Sequence, residues 1–478
     1  MWTRCRTRRA AVLLSAAALL LWCLRRKLPF DAAASTVPLV SLSSMAKGAQ
    51  IDASAALAWR RAAALGVARL EGHGVEIEAT LAAARSLFRL PLPSKLAAAS
   101  DGDGFGRGYI PLGGESGLAS FLELKEGYCY GDEGSEGVPS PLHAPNRWPD
   151  GFGTAERSSL ERFYREAEEL SAVAARALLT HAEAEAAEVV EVVEVVEVVE
   201  AEAEAAATAK AATAATAATA ATAATAATAA TAALERMLRQ TSGISLMRIF
   251  HYFDARMHAE LAPKMVRTGS SPHTDWHLIT IVLQDEVGGL QVRSRDGTWL
   301  DVPANQGELV LIVGDYLQLL GGGRVRSPVH RVLLPGEGGS GSGLGLGLGS
   351  GFRFSWWPFS YWPFSWWPFS CLPFSSRRIP PIHGEHTDGR YSFTFFFYPE
   401  FNSTLSAELS SELARAWPPG AHGAADLEVN TLLPWSATRE EYVAAAAALA
   451  QRPFGEAMLA KWRGVGANHV STVGKSEL

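Results

Sequence analysis

Hydrophobic and polar positions along the chain fall into a few distinct patterns, and each predicts an element. From Leu278 to Leu283 the residues are apolar or β-branched, which marks a buried strand rather than a helix. From Arg390 to Phe397 the pattern alternates. Tyr391, Phe393, Phe395 and Phe397 fall on one face of an extended chain, and Arg390, Ser392, Thr394 and Phe396 on the other. A polar pair therefore points one way out of an otherwise apolar strand. Ala55 to Gly66 and Glu76 to Phe88 are rich in Ala and Leu and predict helices, the second stopped by Leu90-Pro-Leu-Pro93. Residues 37–130 thus read as a short strand followed by helices, with a Gly-rich loop from Asp101 to Gly114. After a second loop, Pro139 to Gly153, the stretch Ala155 to Ala184 is strongly helical. Beyond Phe401, helices are predicted over Ala407 to Trp417 and Arg439 to Arg463.

Two stretches carry repeats instead. Glu188 to Glu200 repeats Glu-Val-Val, and Ala211 to Ala232 repeats Ala-Ala-Thr. A three-residue period builds no amphipathic face, so both read as an expansion inside or beside a long helix, which resumes at Leu234 to Gln240. Between Gly336 and Gly389 a Gly/Ser/Leu linker leads into repeats of Phe-Ser-Trp-Trp-Pro, from Phe354 to Pro373. A Pro at every fifth position forbids helix and central strand. This is a repeat expansion tolerated in a surface loop, although an exposed Trp-rich loop also suits a partner or a membrane interface.

Composition narrows the picture. A length of 478 residues with 48% hydrophobic content allows one large domain with additions. The net charge of −7, without a basic stripe, argues against nucleic acid as a partner. Cys5, Cys23, Cys129 and Cys371 make neither a zinc spacing nor a disulfide framework. At the start, Arg4, Arg6, Arg8 and Arg9 precede an apolar run, Ala10 to Leu24, closed by Arg25-Arg-Lys27. As a helix that run measures about 22 Å, short of the roughly 30 Å hydrocarbon core. It predicts a signal peptide, with Ala32-Ala-Ala34 as a cleavage site, or a short signal anchor. The expectation is a membrane-associated or secretory-pathway protein. The tail Lys475-Ser-Glu-Leu478 resembles an ER-retention tetrapeptide, with Ser476 where an acidic residue is expected. The resulting segments are 1–36 for targeting, 37–145 as a helical N-terminal region, 146–241 as a helix with an insertion at about 186–233, 242–400 as the core with an insertion at about 336–389, and 401–478 as a helical C-terminal region.

The candidate chemistry sits in Ser271 to Gln284. On one strand, His273 and Asp275 would project to the same face, and His330, in the β-prone Val329-His-Arg-Val332, can add a third donor. Two imidazoles and one carboxylate, with the other positions open, suit non-haem Fe(II). A second His-x-Asp, His386-Thr-Asp388, has only His422 and His469 downstream, and neither lies in a strand-like run. Arg390, sharing a face with Ser392 in an otherwise apolar strand, offers a buried anion the forked donors that a Lys would not. Arg353-Phe-Ser355 is a rival, but Trp-Trp-Pro follows it, whereas Ser392 continues into a credible strand. His277 shares the predicted face of His273 and Asp275 and lines the same space. His251 and His258 read as core or surface residues, and Asp315 as a turn former.

From Met247 to Pro335 the chain resembles the plant-type 2-oxoglutarate/Fe(II) dioxygenases, the isopenicillin-N-synthase-like family. The matching words are Met247-Arg-Ile-Phe-His-Tyr252, His273-Thr-Asp275, Gln284-Asp-Glu-Val-Gly-Gly-Leu-Gln-Val292, Asp296-Gly-Thr-Trp299, Gly314-Asp-Tyr-Leu-Gln318 and Ser327-Pro-Val-His-Arg-Val332. Arg390-Tyr-Ser392 looks like the family's Arg-x-Ser strand, and Val37-Pro-Leu-Val40, Gly72-His-Gly-Val75 and Lys125-Glu-Gly-Tyr128 resemble its N-terminal preface. In that family Arg-x-Ser follows the distal His closely, so the segment between His330 and Arg390 reads as an insertion.

The resemblance implies an α+β fold, a double-stranded β-helix (jelly-roll, cupin-like) core with flanking helices and low-complexity insertions. It implies Fe(II) on His273, Asp275 and His330, and 2-oxoglutarate on Arg390, Ser392 and Tyr252, with O2 as oxidant. The implied reaction decarboxylates 2-oxoglutarate to succinate and CO2 and hydroxylates or otherwise oxidises a small organic substrate. Relatives that oxidise substrate without 2-oxoglutarate, protein hydroxylases of the ER, and a degenerate membrane-tethered binding protein are the alternatives.

Overall fold

The computed structural model describes residues 36–43, 53–100, 106–114, 118, 120–133, 142, 144–200, 229–238, 244–256, 265–336, 389–405, 429–433 and 438–472. The targeting segment, the Trp-rich repeat with Arg353, the second His-x-Asp, the Ala407 to Trp417 helix, most of the Ala-Ala-Thr repeat and the C-terminal tetrapeptide lie outside these residues.

Two sheets face each other. The larger has eight strands in the order β1 (Leu39–Ser41), β2 (Val67–Glu71), β12 (Leu309–Val313), β9 (Ile279–Gln284), β14 (Arg390–Phe397), β6 (Leu246–Tyr252), β5 (Lys125–Gly131) and β3 (Gly108–Ile110). The smaller has four, β11 (Trp299–Asp301), β10 (Leu290–Arg293), β13 (His330–Val332) and β8 (Ser270–His273). A parallel pair, β4 (Phe121–Glu123) with β7 (Val266–Thr268), lies apart from both. Val67, Phe250, Val282, Leu290, Val310 and Val332 meet as one apolar cluster drawn from the two sheets. This is the jelly-roll core, built from alternating inward side chains.

β14 lies between β9 and β6, so both of its edges are hydrogen-bonded, and the alternation in its sequence sorts its two largely buried faces. Its Tyr391, Phe393, Phe395 and Phe397 join a second apolar cluster with the helices α1 (Ala53–Leu65), α2 (Ile77–Phe88) and α4 (Thr154–Glu200). Phe163 meets Phe393 edge-on at 5.4 Å, and Tyr164 meets Phe395 at 5.0 Å. Each such ring buried from water contributes roughly 2 kcal/mol, which anchors α4 across the back of the sheet. The α4 backbone continues through the Glu-Val-Val run to Glu200. Gly66 turns the chain from α1 into β2 at φ +84, where a Cβ would sit 2.2 Å from the Arg326 carbonyl oxygen.

The N-terminal region is richer in strand than its composition predicts. Besides its helices, and a short α3 (Leu92–Ala97), it gives β2, β3 and β5 to the large sheet and β4 to the small pair. β5 was illegible because it carries two charges and two glycines, yet all seven of its residues are buried. Its charges are matched internally, Lys125 by Glu123 and Glu126 by Lys95, each at 2.7 Å. At the other end, the helix expected over Arg439 to Arg463 is two helices, α6 (Arg439–Ala450) and α7 (Phe454–Thr472). Pro453 separates them, since it has no N–H to donate and disfavours helical geometry at the residue before it. Among the described residues, no helix is long and apolar enough to cross a membrane.

Candidate metal and cosubstrate site

His273 is the last residue of β8 and pairs directly with His330, the first residue of β13. Asp275 is not on that strand. The chain leaves the small sheet at His273 and enters the large one at Ile279, so the carboxylate reaches the histidines from the crossing loop, not by strand alternation. The loop is braced by the start of α5 (Asp315–Leu320): Asp315 N–H donates to Asp275 O at 2.7 Å, Tyr316 N–H to His277 O at 3.2 Å, and Gly314 N–H to Leu278 O at 3.0 Å. Asp315 does more than shape a turn. Its buried carboxylate accepts from the Thr274 hydroxyl at 2.8 Å and from Leu432 N–H at 3.0 Å, and burial pushes its pKa up.

One ligand atom from each of His273, Asp275 and His330 lies within 4.8 Å of the others. His273 Nε2 is 3.8 Å from Asp275 Oδ1, and His330 Nε2 is 3.7 Å from Oδ2. On the far side of each ring, Nδ1 faces a backbone carbonyl, Ser271 O at 2.7 Å and Pro328 O at 3.2 Å. A proton on each Nδ1 satisfies that carbonyl and turns the Nε2 lone pair toward the carboxylate. Burial, with His330 adding, pushes the His273 pKa down to about 4, so the ring is neutral, as a ligand must be. Burial alone would raise Asp275, but His330, His277 and His273 outweigh it and hold the carboxyl below its usual range. Thr280 donates its hydroxyl to Asp275 Oδ2. Two imidazoles and a carboxylate opening onto a pocket fit Fe(II) with sites to spare. His277 lines the pocket with a pKa pushed down to about 4 by burial, outside the three-residue cluster.

At the other end of the pocket, Arg390 is 1% exposed, directly opposite Tyr252 in register. Its guanidinium stands 4.7 Å over the Tyr252 ring and donates from Nη2 to Gln284 Oε1 at 3.2 Å. Among the described residues, Nε and Nη1 of Arg390 are buried without a hydrogen-bond partner, a cost that an incoming carboxylate would relieve. Ser392 and Tyr252 hydroxyls meet at 3.4 Å on the same wall. His251 points away, its Nδ1 2.8 Å from Glu126, as a core residue. His258 lies outside the described residues.

Sequence reading missed Glu123, Lys125 and Arg248, all of which line the pocket. Glu123 accepts from Ser271 N–H at 2.9 Å and from its hydroxyl at 2.6 Å, bracing β8 beside His273. The signal was present in Leu122-Glu-Leu-Lys125, where both charges share one face of an alternating run. Arg248 likewise shares a face of β6 with Phe250 and Tyr252.

Two histidines and a carboxylate lining the inner pocket of a jelly roll are a donor set able to hold non-haem iron. The sequence comparisons say what the chain is similar to. Residues 244–356 match the model of the 2OG-Fe(II) oxygenase superfamily, and residues 37–151 match the model described as the N-terminal region of the non-haem dioxygenase in morphine synthesis. Residues 37–151 and 244–356 are thus similar to 2-oxoglutarate/Fe(II) oxygenases, and the His273–Asp275–His330 donor set lies in the second of these stretches. Gibberellin 2-beta-dioxygenase 2 of Arabidopsis thaliana is 39% identical over 100 residues, covering 21% of this chain and 28% of that protein. Feruloyl CoA ortho-hydroxylase 2 of the same plant is 48% identical over 70 residues, covering 14% and 19%. The chain thus spans about a quarter of the length of the curated relatives it matches. The full-length T7H of Neurospora crassa, solved in complex with alpha-KG, superposes with a TM-score of 0.48 at 17% identity over 79% of this chain and 92% of that one.

Proposed function

We propose that this protein is a non-haem Fe(II)- and 2-oxoglutarate-dependent oxygenase that hydroxylates or otherwise oxidises a small organic substrate, with 2-oxoglutarate decarboxylated to succinate and CO2. The observation that carries this reading is one pocket with the His273–Asp275–His330 cluster on one wall and the buried Arg390 at one end. His273, Asp275 and His330 are the metal ligands, and Arg390, Ser392 and Tyr252 hold the far carboxylate of the cosubstrate. The bound iron supplies the activation of O2. The chain's own residues fix the ligands through Ser271, Pro328 and Thr280, orient 2-oxoglutarate with forked donors, and exclude water with Val282, Leu290 and Ile312. The burial of Arg390 favours this reading over oxidation without 2-oxoglutarate, which has no use for a desolvated cation there.

The pocket walls suit a small molecule, and the net charge of −7 gives nucleic acid no attraction. Association with a membrane or the secretory pathway is supported by the basic-flanked apolar run Ala10 to Leu24; cell fractionation with and without residues 1–36 tests it. The test of the activity is an anaerobic titration with Fe(II) and then 2-oxoglutarate. A weak visible charge-transfer band is expected, lost in His330→Ala and weakened in Arg390→Ala. Iron binding without the band would point to the oxidase chemistry, and no iron binding would overturn the enzyme reading.

A further inference from the structure

His277 lines the pocket beside the metal cluster and has no role assigned above. It is 3% exposed, and its ring packs against Phe396 at 4.9 Å and Tyr398 at 5.3 Å between centroids. Its backbone is held as firmly. Tyr316 N–H donates to His277 O, and a Cβ at Gly314, where α5 starts, would collide with that carbonyl. With ring and backbone both fixed, Nε2 stands 3.3 Å from the Thr280 hydroxyl oxygen, and Thr280 in turn bonds Asp275 Oδ2. All three residues are buried, and Thr280 is set in β9 between Ile312 and Phe396 of the neighbouring strands.

We propose that His277 is a positioning residue for the iron carboxylate: its Nε2–H donates to Thr280 Oγ1, whose own hydrogen is thereby committed to Asp275. The proposal rests on the oxygenase reading, to which it adds the residue that sets the third ligand. The direction of each bond follows from counting hydrogens. A hydroxyl has one hydrogen and two lone pairs, and an ionised carboxylate has no hydrogen to give. A carboxylate that ligates a metal is ionised, so the Thr280 hydrogen goes to Oδ2. What faces His277 Nε2 is then a lone pair, and that nitrogen carries the proton. This tautomer is the reverse of the one at His273 and His330, whose Nδ1 atoms face carbonyls and leave Nε2 for the metal. It keeps His277 Nε2 from competing as a ligand, and the two donors in series strengthen each other's hold on Asp275. Asp275 needs that hold because it lies between β8 and β9, outside the ladder that fixes the two histidines.

Two measurements on the full chain test this. Long-range proton–nitrogen correlation spectra of the metal-free protein, with its histidine rings labelled, read the tautomer at neutral pH, and His277→Gln identifies the resonance. Nε2–H is expected at His277, and a proton on Nδ1 alone would overturn the proposal whatever the iron does. Fe(II) titration under nitrogen then reads the effect on the metal. His277→Phe, which keeps a ring but has no donor, should weaken Fe(II) binding about tenfold, the lower end for losing an outer-shell partner. His277→Gln, whose amide can donate from the place of Nε2, should recover most of that loss and guards against a folding artefact. In a Thr280→Val background His277→Phe should cost nothing further, because the link is already cut. Full affinity in His277→Phe, no recovery in His277→Gln, or the same loss with Thr280→Val as without it would each overturn the proposal. A wild type that binds no Fe(II) but carries the Nε2–H tautomer would keep the hydrogen-bond chain and reject the oxygenase.

Discussion

His273 and His330 are direct cross-strand partners, with ring centroids 4.2 Å apart, so the ladder between β8 and β13 sets two of the three donors before any metal arrives. The entropy of bringing them together is met by sheet formation, and iron has only to displace local solvent. His330→Ala should therefore lower Fe(II) affinity by at least about a hundredfold, the upper range for losing a mere outer-shell partner. The rise in Tm that Fe(II) gives the wild type should vanish with it. A thermal-shift titration with Fe(II) under nitrogen checks this, and an unchanged shift would remove His330 from the ligand set.

Arg390 carries two buried donors without partners among the described residues, so its role is tested by what fills that gap. Arg390→Ala should raise the Kd for 2-oxoglutarate by roughly 30-fold or more while Fe(II) affinity stays within a few-fold. Arg390→Lys should recover little, because a single ammonium cannot reproduce the fork. Equilibrium binding of labelled 2-oxoglutarate to the Fe(II)-loaded chain distinguishes these outcomes.

Much of this site was legible in the sequence because strand periodicity speaks directly to side-chain faces. Alternation in Arg390 to Phe397 assigned Arg390, Ser392, Thr394 and Phe396 to one face and Tyr391, Phe393, Phe395 and Phe397 to the other, and the structure has that arrangement. The same rule misled at His273 and Asp275. Their spacing fits one strand face, but the strand stops at His273 and the carboxylate returns from a loop whose path is set by backbone bonds to Asp275 O, His277 O and Leu278 O. Such bonds are made by groups common to every residue, so no local pattern announces them. β5 was missed for a related reason. Buried charges look solvent-seeking until the partners Glu123 and Lys95, distant or on another element, are known.

Asp315 joins three segments through one carboxylate, and its loss should be felt at the metal. Asp315→Ala leaves the Thr274 hydroxyl and Leu432 N–H without their acceptor in a dry place, which should cost about 3 kcal/mol of stability. Because Thr274 stands between two ligands, Fe(II) affinity should fall as well, whereas Asp315→Asn, which keeps an acceptor oxygen, should fall less in both. Urea unfolding alongside Fe(II) titration reads the two effects, and a destabilised variant with intact iron affinity would confine Asp315 to scaffolding.

Behind Tyr252, Glu126 ties three elements together and makes stability depend on acid. Its Oε2 accepts from Lys95 Nζ at 2.7 Å and from the Tyr109 hydroxyl at 2.6 Å, and its Oε1 lies 2.8 Å from His251 Nδ1. Burial alone would raise its pKa, but the bonds and charges of His251 and Lys95 outweigh it and hold the carboxyl below 4.5. A depressed carboxyl binds its proton less readily folded than unfolded. Its stabilisation is therefore complete above about pH 4.5 and is lost as the pH falls through the folded value. Glu126→Gln should cost roughly 3 kcal/mol at neutral pH, since Lys95 is left buried without its anion. It should also flatten the loss of Tm between neutral pH and acid, because the group that titrates is gone. Tm measured across that range for both chains decides it: parallel curves would mean that another carboxylate governs the acid limb.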